Sequence, residues 1–213
     1  MNKKMMLLTL AVAGMTMFAL PAASSAQEIH WEGLSQFTGD ATAGTVVSEG
    51  EPTTTCETGD VTGTVSAGGT TGTISIDLTG CHTTVFGLTA KCHTSGSPLD
   101  NTIKMSGTFH LITTTDGPAM LITFEPVTKI CAGISNTITQ GNVIGTITSP
   151  KCGETSKLMT INFAATSGSQ DHKLYTGVNY DLTATTSGGT AKTAAWTTLM
   201  HIESTTAGTL NCT

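Results

Sequence analysis

A pair of glycines, Gly68–Gly69, separates two runs in which apolar and polar residues alternate. Such pairs favour the two-residue turns of β-hairpins, because those turns need positive φ angles that match the twist of the strands. A two-residue loop here pairs Val61 with Ile76 and places the apolar residues of both strands on one face. The same register sets Cys56 opposite Cys81. The stretch therefore predicts a hairpin closed by a disulfide.

The first 26 residues have the layout of a secretory signal peptide. Two lysines precede an apolar run from Met5 to Leu20, and small residues end the segment at Ala26. We therefore expect cleavage before Gln27 and export of the mature chain. No later stretch is long and apolar enough to span a bilayer as a helix. Residues 27–52 are predicted to form an N-terminal strand and a flexible segment, and residues 53–213 a single all-β domain.

The basic residues of the chain are nine lysines, and arginine is absent. Two lysines precede the predicted cleavage point and all fifteen acids follow it, so the mature chain has seven lysines and a formal charge of −8. Without arginine the chain lacks the bidentate donor that suits phosphate groups. An acidic surface also repels nucleic acid. The composition therefore excludes a nucleic-acid partner.

All six cysteines lie beyond the predicted signal peptide, and an even number in an exported chain indicates disulfides. A second tight turn, predicted at Gly141–Asn142, sets Cys131 opposite Cys152. Cys92 and Cys212 then remain as partners. The predicted disulfides are Cys56–Cys81, Cys131–Cys152 and Cys92–Cys212.

Alternating apolar residues predict strands along the rest of the mature chain. Near the N-terminus, Ile29 and Trp31 alternate with polar neighbours. A turn predicted at Asp116–Gly117 would pair Phe109 with Phe124. These patterns indicate a succession of antiparallel hairpins.

A long strand is predicted from Lys173 to Thr185, followed by a returning strand. Two registers remain open for this hairpin. A two-residue loop pairs Val178 with Leu199, and a three-residue loop pairs Tyr180 with Trp196.

No stretch of the mature chain keeps a helical period with caps. Threonine is abundant and charge is sparse, which suits pleated, half-buried surfaces. The predicted fold is all-β: an antiparallel β-sandwich or closed β-barrel of about ten strands, stapled by disulfides.

Two Cys-His pairs, Cys81–His82 and Cys92–His93, are the candidate metal ligands, because metal sites use cysteine and histidine together. Adjacent strand residues point to opposite faces, and disulfide formation removes the thiolates. We therefore predict no metal site. The common hydrolase, metalloprotease and phosphate-binding motifs are missing from the sequence, so no catalytic residue and no cofactor is predicted.

Four carboxylates on predicted strands leave a secreted hydrolase as an alternative, because glycosidases use two such groups. These carboxylates belong to Asp77, Glu125, Asp181 and Glu203. A second alternative is a barrel that carries an apolar ligand, since apolar strand faces could line its interior. The residues that suggest it are Phe109, Phe124, Val178 and Leu182.

The opening of the mature domain resembles a group of uncharacterised secreted bacterial proteins, particularly from actinobacteria. The pattern is carried by Cys56, Val61–Val65, Thr73–Thr79 and Gly80–Cys81, with Cys92 beyond. The resemblance implies export and β structure. It implies no activity, because its motifs are structural.

Together these features predict a secreted, disulfide-bonded β domain with a binding or structural role at or outside the cell envelope. They favour a non-enzymatic role. The expected partner is an unidentified envelope or extracellular ligand, and the expected location is extracellular, periplasmic or within the envelope.

Overall fold

The computed structural model describes residues 29–49, 51–97, 101–131, 135–186 and 189–212. The predicted signal peptide, residues 1–26, lies outside the described residues. Strand makes up 75% of the structure, and the described residues contain no helix. No segment in these ranges could therefore cross a membrane as a helix. The all-β prediction is confirmed.

Most described strands form the wall of one antiparallel barrel. At several positions around the wall, two shorter strands lie one above the other and together take the place of one long strand. In order around the wall, with such pairs joined by 'and', the positions are: β2 (Gln36–Ala41) and β3 (Gly44–Ser48); β4 (Thr54–Cys56) and β5 (Thr58–Val65); β6 (Thr71–Thr79) and β7 (His82–Val85); β8 (Leu88–Thr94) and β9 (Ile103–Thr114); β10 (Gly117–Cys131); β11 (Ser135–Ser149); β12 (Thr155–Phe163) and β17 (Leu182–Thr186); β18 (Lys192–Cys212). Each pairs with its neighbours, and β18 closes the wall by pairing with β2 and β3.

Closure can be followed along the hydrogen bonds between described strands. The path from β18 through β2, β5, β6, β9, β10, β11 and β12 returns to β18 and encircles the barrel. β11, β12 and β17 complete the wall between β10 and β18. The predicted antiparallel, disulfide-stapled all-β fold is confirmed, and of its two alternatives, sandwich and barrel, the structure has the barrel.

The remaining described strands lie at one end and on one side of the wall. β1 (Ile29–Glu32) pairs with the last residues of β18 at the end that also holds the β5–β6 and β9–β10 turns, here called the top. Between β12 and β17, the strands β13 (Ala165–Thr166), β14 (Ser169–Gln170), β15 (Leu174–Tyr175) and β16 (Val178–Asn179) form two short hairpins. Residues 164–181 are called the flap.

Apolar side chains that alternate along the strands fill the interior. The ring of Phe37 meets that of Phe109 edge to face, with centroids 5.8 Å apart. Trp196 packs against Phe124 at 5.7 Å and against Phe163 at 4.9 Å. These aromatic contacts hold the two sides of the barrel together.

A smaller apolar cluster lies on the outer side of the wall. It consists of Ile112, Ala119, Leu121 and Ile144, and Tyr175 and Tyr180 of the flap pack against it. The sequence predicted one strand from Lys173 to Thr185, with Val178 on an apolar face. That prediction is wrong, because the chain folds outward as the flap and Val178 is 53% exposed.

The predicted registers were correct where a glycine pair forms the turn. β5 and β6 pair Val61 with Ile76, as predicted. In the next hairpin Phe109 lies opposite Ile122 and not Phe124, because the loop is Thr115–Asp116. A shift of two residues leaves each side chain on its predicted face.

The last hairpin follows the register of the predicted three-residue loop, since Leu182 lies opposite Ala194. The predicted partners Tyr180 and Trp196 do not meet in that pairing. β17 begins at Leu182, and Trp196 lies opposite Val46 of β3.

Strands β2 and β3 connect the N-terminal segment to the rest of the barrel. Both pair with β18, and on their other side β2 pairs with β5 and β3 pairs with β4. The division into residues 27–52 and 53–213 stays a prediction.

The structure joins Cys56 to Cys81, as the hairpin register predicted. The other two predicted disulfides, Cys131–Cys152 and Cys92–Cys212, are wrong. The structure instead contains Cys92–Cys131 and Cys152–Cys212.

The physical reason lies in β11, which runs through the predicted turn at Gly141 as one continuous strand. Cys131 lies opposite Ser135 at the start of β11, whereas Cys152 follows its end. At ~3.3 Å per residue that separation is roughly 45 Å. β8 pairs with the other side of β10 and sets Cys92 directly opposite Cys131.

Candidate functional site

A groove with a volume of about 820 Å³ crosses the outer face of the barrel. Six neighbouring strands line it: β18, β2, β5, β6, β9 and β10. Its floor consists of outward-facing side chains, because the alternate residues of the same strands point into the core. We call it the hydroxyl groove, after the groups that line it.

Strand register arranges the floor in two rows. The upper row is Gln36, Thr64, Thr73 and Thr108, and the lower row is Thr38, Thr62, Ser75 and Ser106. Each residue lies directly opposite the next, so polar side chains repeat at the strand spacing of about 4.8 Å, and all of them except the Gln36 amide are hydroxyls. The Oγ1 atoms of Thr64 and Thr73 lie 2.7 Å apart and share a hydrogen bond. Hydroxyls that both donate and accept suit a polar ligand with the same capacity.

Carboxylates mark the two ends of the groove. Glu203 lies on β18 at one end, and Glu125 lies on β10 at the other. Glu125 accepts a hydrogen bond from Ser106 Oγ at 2.7 Å. None of the described lining residues is basic. The groove therefore combines neutral hydroxyls with negative charge.

A third row of outward-facing side chains runs beside the lower row. In it Asp40 lies opposite Asp60, Asp60 opposite Asp77, and Asp77 opposite Lys104. The Lys104 ammonium lies 2.7 Å from Asp77 and pairs with it. At the other end of the row, His201 lies opposite Asp40. The row adds acidic charge along one side of the groove.

A second depression of about 330 Å³ continues the groove towards the flap. It shares Thr73 and Thr108 with the groove and extends to His110 and Leu121. The His110 ring lies edge-on to that of Tyr175 at 6.4 Å. The continuous surface therefore reaches from Glu203 to an aromatic flap.

The four carboxylates that the sequence suggested as members of a glycosidase pair lie apart in the structure. Glu125 and Glu203 line one groove, but β9, β6, β5 and β2 lie between their strands. That is about 24 Å along the sheet at ~4.8 Å per strand, against about 5–10 Å for glycosidase carboxylates. Asp77 is paired with Lys104, and Asp181 lies in the flap 3.9 Å from Lys173. The geometry does not bring these groups to one reacting centre.

Cys81 and Cys92 are both in disulfides, so neither offers a thiolate to a metal beside His82 or His93. Among the described residues, no group of three potential metal ligands lies together.

One buried charge escaped the sequence analysis. Lys129 points into the lower interior, is 7% exposed, and its Nζ donates to Thr54 Oγ1 at 2.6 Å. Burial lowers the pKa of this amine to about 8, and attraction to Glu51 partly opposes that shift. A register shift between Phe124 and Val127 turns Lys129 inward. The Glu125–Pro126 step within an alternating strand was the available signal.

The groove also escaped the sequence analysis, although a signal for it was present. Alternate hydroxyl residues recur on consecutive strands, at Thr62 and Thr64, then Thr73 and Ser75, then Ser106 and Thr108. Strand propensity alone accounts for such residues, so only the register shows that they form rows.

Comparison with known proteins identified no relative. No protein-family model matches the chain, and no curated protein and no solved structure matches it.

Proposed function

We propose that the protein is a secreted, disulfide-bonded binding domain that holds a polar ligand in the hydroxyl groove, at or outside the cell envelope. The observation that carries the proposal is the pair of registered hydroxyl rows on an exposed floor of about 820 Å³. The volume is within the range of ligand sites, which is about 300–1,000 Å³.

Two features support the location. All six cysteines are paired in disulfides, which persist in oxidising compartments outside the cytosol. The N-terminal 26 residues have the sequence layout of a signal peptide. Export to the envelope or beyond brings the groove into contact with polysaccharides, whose hydroxyls match its floor.

The proposal is tested by co-sedimentation of residues 27–213 with insoluble peptidoglycan, chitin, cellulose and chitosan, the deacetylated form of chitin. The informative variant carries Thr62→Val, Thr64→Val and Thr73→Val, which remove three hydroxyls while keeping β-branched side chains of similar size. We expect the unmodified protein to sediment with at least one polymer and the triple variant to lose most of that binding.

The matched control carries Thr155→Val and Thr209→Val. These residues form the same kind of exposed cross-strand hydroxyl pair, 2.7 Å apart, outside the groove. The control should bind as the unmodified protein does. Equal binding by the triple variant and the control, or no binding to any polymer, contradicts the proposal.

A further inference from the structure

The charge around the hydroxyl groove indicates the kind of ligand that it holds. Five carboxylates border the floor, at Asp40, Asp60, Asp77, Glu125 and Glu203. One ammonium, that of Lys104, lies at the end of the aspartate row and is paired with Asp77. Negative potential therefore remains along one side and at both ends, where a cationic ligand would be attracted and an anionic one repelled.

The architecture argues against an extended peptide as that cation. Peptides commonly bind a sheet by adding a strand at an open edge, with pockets for alternate side chains. The strands that line the groove are hydrogen-bonded on both sides within the barrel wall, so they offer no edge. The Phe37 and Ile74 side chains beneath the floor are 4% and 2% exposed and belong to the core. The floor therefore offers hydroxyls and no apolar pocket for a peptide side chain.

A sugar that carries free amines fits both observations. Its hydroxyls can exchange hydrogen bonds with the two rows, and its ammonium groups can pair with the carboxylates that border them. The described lining contains no Trp or Tyr for stacking against sugar rings, so charge has to supply a large share of the affinity. Resting on the proposed function, we propose that the ligand of the hydroxyl groove is an oligosaccharide of amino sugars with unacetylated amines.

The test compares two soluble probes by titration calorimetry, the hexamer of glucosamine and the hexamer of N-acetylglucosamine. They differ in the acetyl groups that remove the positive charges. We expect the glucosamine hexamer to bind at least about tenfold more tightly, as charge-assisted hydrogen bonds are about twice as strong as neutral ones. The difference should shrink when salt rises from ~0.01 M to ~0.15 M, because the screening length falls from about 30 Å to about 8 Å.

The double variant Glu125→Gln and Glu203→Gln keeps the shape of the groove and removes the charge at its ends. It should bind the glucosamine hexamer about tenfold more weakly, in line with the loss of a hydrogen bond to a charged group. Glu49→Gln with Glu57→Gln removes the same charge outside the groove and should leave binding unchanged.

Each outcome decides a separate question. Equal binding of the two hexamers, abolished by the Thr62, Thr64 and Thr73 substitutions, overturns the amine requirement and leaves the proposed function intact. Binding of hexalysine as tight as that of the glucosamine hexamer overturns the choice of a sugar. No binding of either hexamer also overturns the inference, while the proposed function is decided by the insoluble polymers.

Discussion

Lys129 is the residue whose environment departs most from the sequence expectation. An amine placed inside a barrel loses its hydration, and a hydroxyl partner does not replace it fully. Because the folded-state pKa of about 8 lies below the ordinary value of 10.5, folding disfavours the ammonium form. The cost is fully present below pH 8 and is absent above pH 10.5, where the amine is neutral in both states.

From this we predict the pH dependence of stability. Between pH 8 and 10.5 the unfolded chain binds more protons at Lys129 than the folded chain, so the free energy of unfolding rises with pH. This difference between the two pKa values corresponds to about 3 kcal/mol in the free energy of unfolding. Lys129→Met should be more stable than the unmodified protein at pH 7 by up to that amount. Chemical denaturation at several pH values measures both effects.

The control for this prediction is Lys104→Met, which removes an exposed lysine paired with Asp77. Surface ion pairs contribute about 0–1 kcal/mol, so its pH profile should follow that of the unmodified protein. If the free energy of unfolding of Lys129→Met rose unchanged between pH 8 and 10.5, other groups would cause that rise, and the prediction would be wrong.

Among the elements, the β7–β8 turn has a local sequence that its backbone does not favour. Phe86 and Gly87 have φ angles of 50° and 80°, and they connect Val85 to Leu88. Two positive φ angles define a turn that prefers Asn-Gly, because a bulky side chain is strained in this region. Phe86 is also 100% exposed, so its ring packs on nothing within the described chain.

Replacing this residue should therefore stabilise the protein. Phe86→Asn is expected to raise the free energy of unfolding by about 0.5–1 kcal/mol, since asparagine tolerates the left-handed region. Leu88→Asn is the control, because Leu88 is 73% exposed and has no positive φ. Chemical denaturation of the two variants decides the matter. If Leu88→Asn raised the free energy of unfolding as much as Phe86→Asn did, the cause would be the smaller exposed apolar surface and not the φ angle of residue 86.

Local signals explain which elements the sequence could predict. The prediction of the β5–β6 hairpin was correct because Gly68 and Gly69 both have positive φ angles and alternate residues on both strands are apolar. Gly141 also has a positive φ, of 113°, but it lies inside β11 opposite Phe124. A glycine therefore marks an irregular backbone position without distinguishing a turn from a bulge. The pairing of β8 with β10 has no local signal, because closure of the whole wall sets it.

The Cys152–Cys212 disulfide ties the end of β18 to the loop that follows β11, at the top of the barrel. β1 pairs with the same end, with Ile29 opposite Cys212. Replacing both cysteines with alanine should lower the free energy of unfolding by about 2–5 kcal/mol, as is typical for a native disulfide. Amide exchange should accelerate first in residues 29–32 and 209–212.

The β5–β6 hairpin serves as the internal control in that exchange measurement. It is closed by the separate Cys56–Cys81 bond and pairs with β2 and β9. Its amides should exchange at the unmodified rate under conditions that favour local opening. Acceleration spread evenly over both regions would mean that this disulfide stabilises the molecule only as a whole.

For the whole molecule, closure depends on contacts between the two ends of the described chain. β18 pairs with β1, β2 and β3, so the wall is complete only when the last long strand meets the first ones. The sequence predicted a strand at Ile29 and Trp31 and a returning strand at the position of β18, with a flexible segment in the rest of residues 27–52. It could not show the pairing of β3 with β18, which joins residues about 150 positions apart. The hydroxyl groove depends on the same closure, because β2 supplies Gln36 and Thr38 to its rows.

The dependence on closure leads to a test of the predicted boundary after residue 52. A chain of residues 53–213 lacks β1, β2 and β3, and with them the buried Ile29, Trp31 and Phe37 side chains. It also exposes unpaired edges on β18 and β5, which promote association between chains. We expect this chain to aggregate or to show no cooperative thermal transition by circular dichroism, whereas residues 27–213 unfold in one transition. A monomeric, cooperatively unfolding 53–213 chain would instead establish the boundary that the sequence predicted and would show that the wall can stay open between β18 and β5.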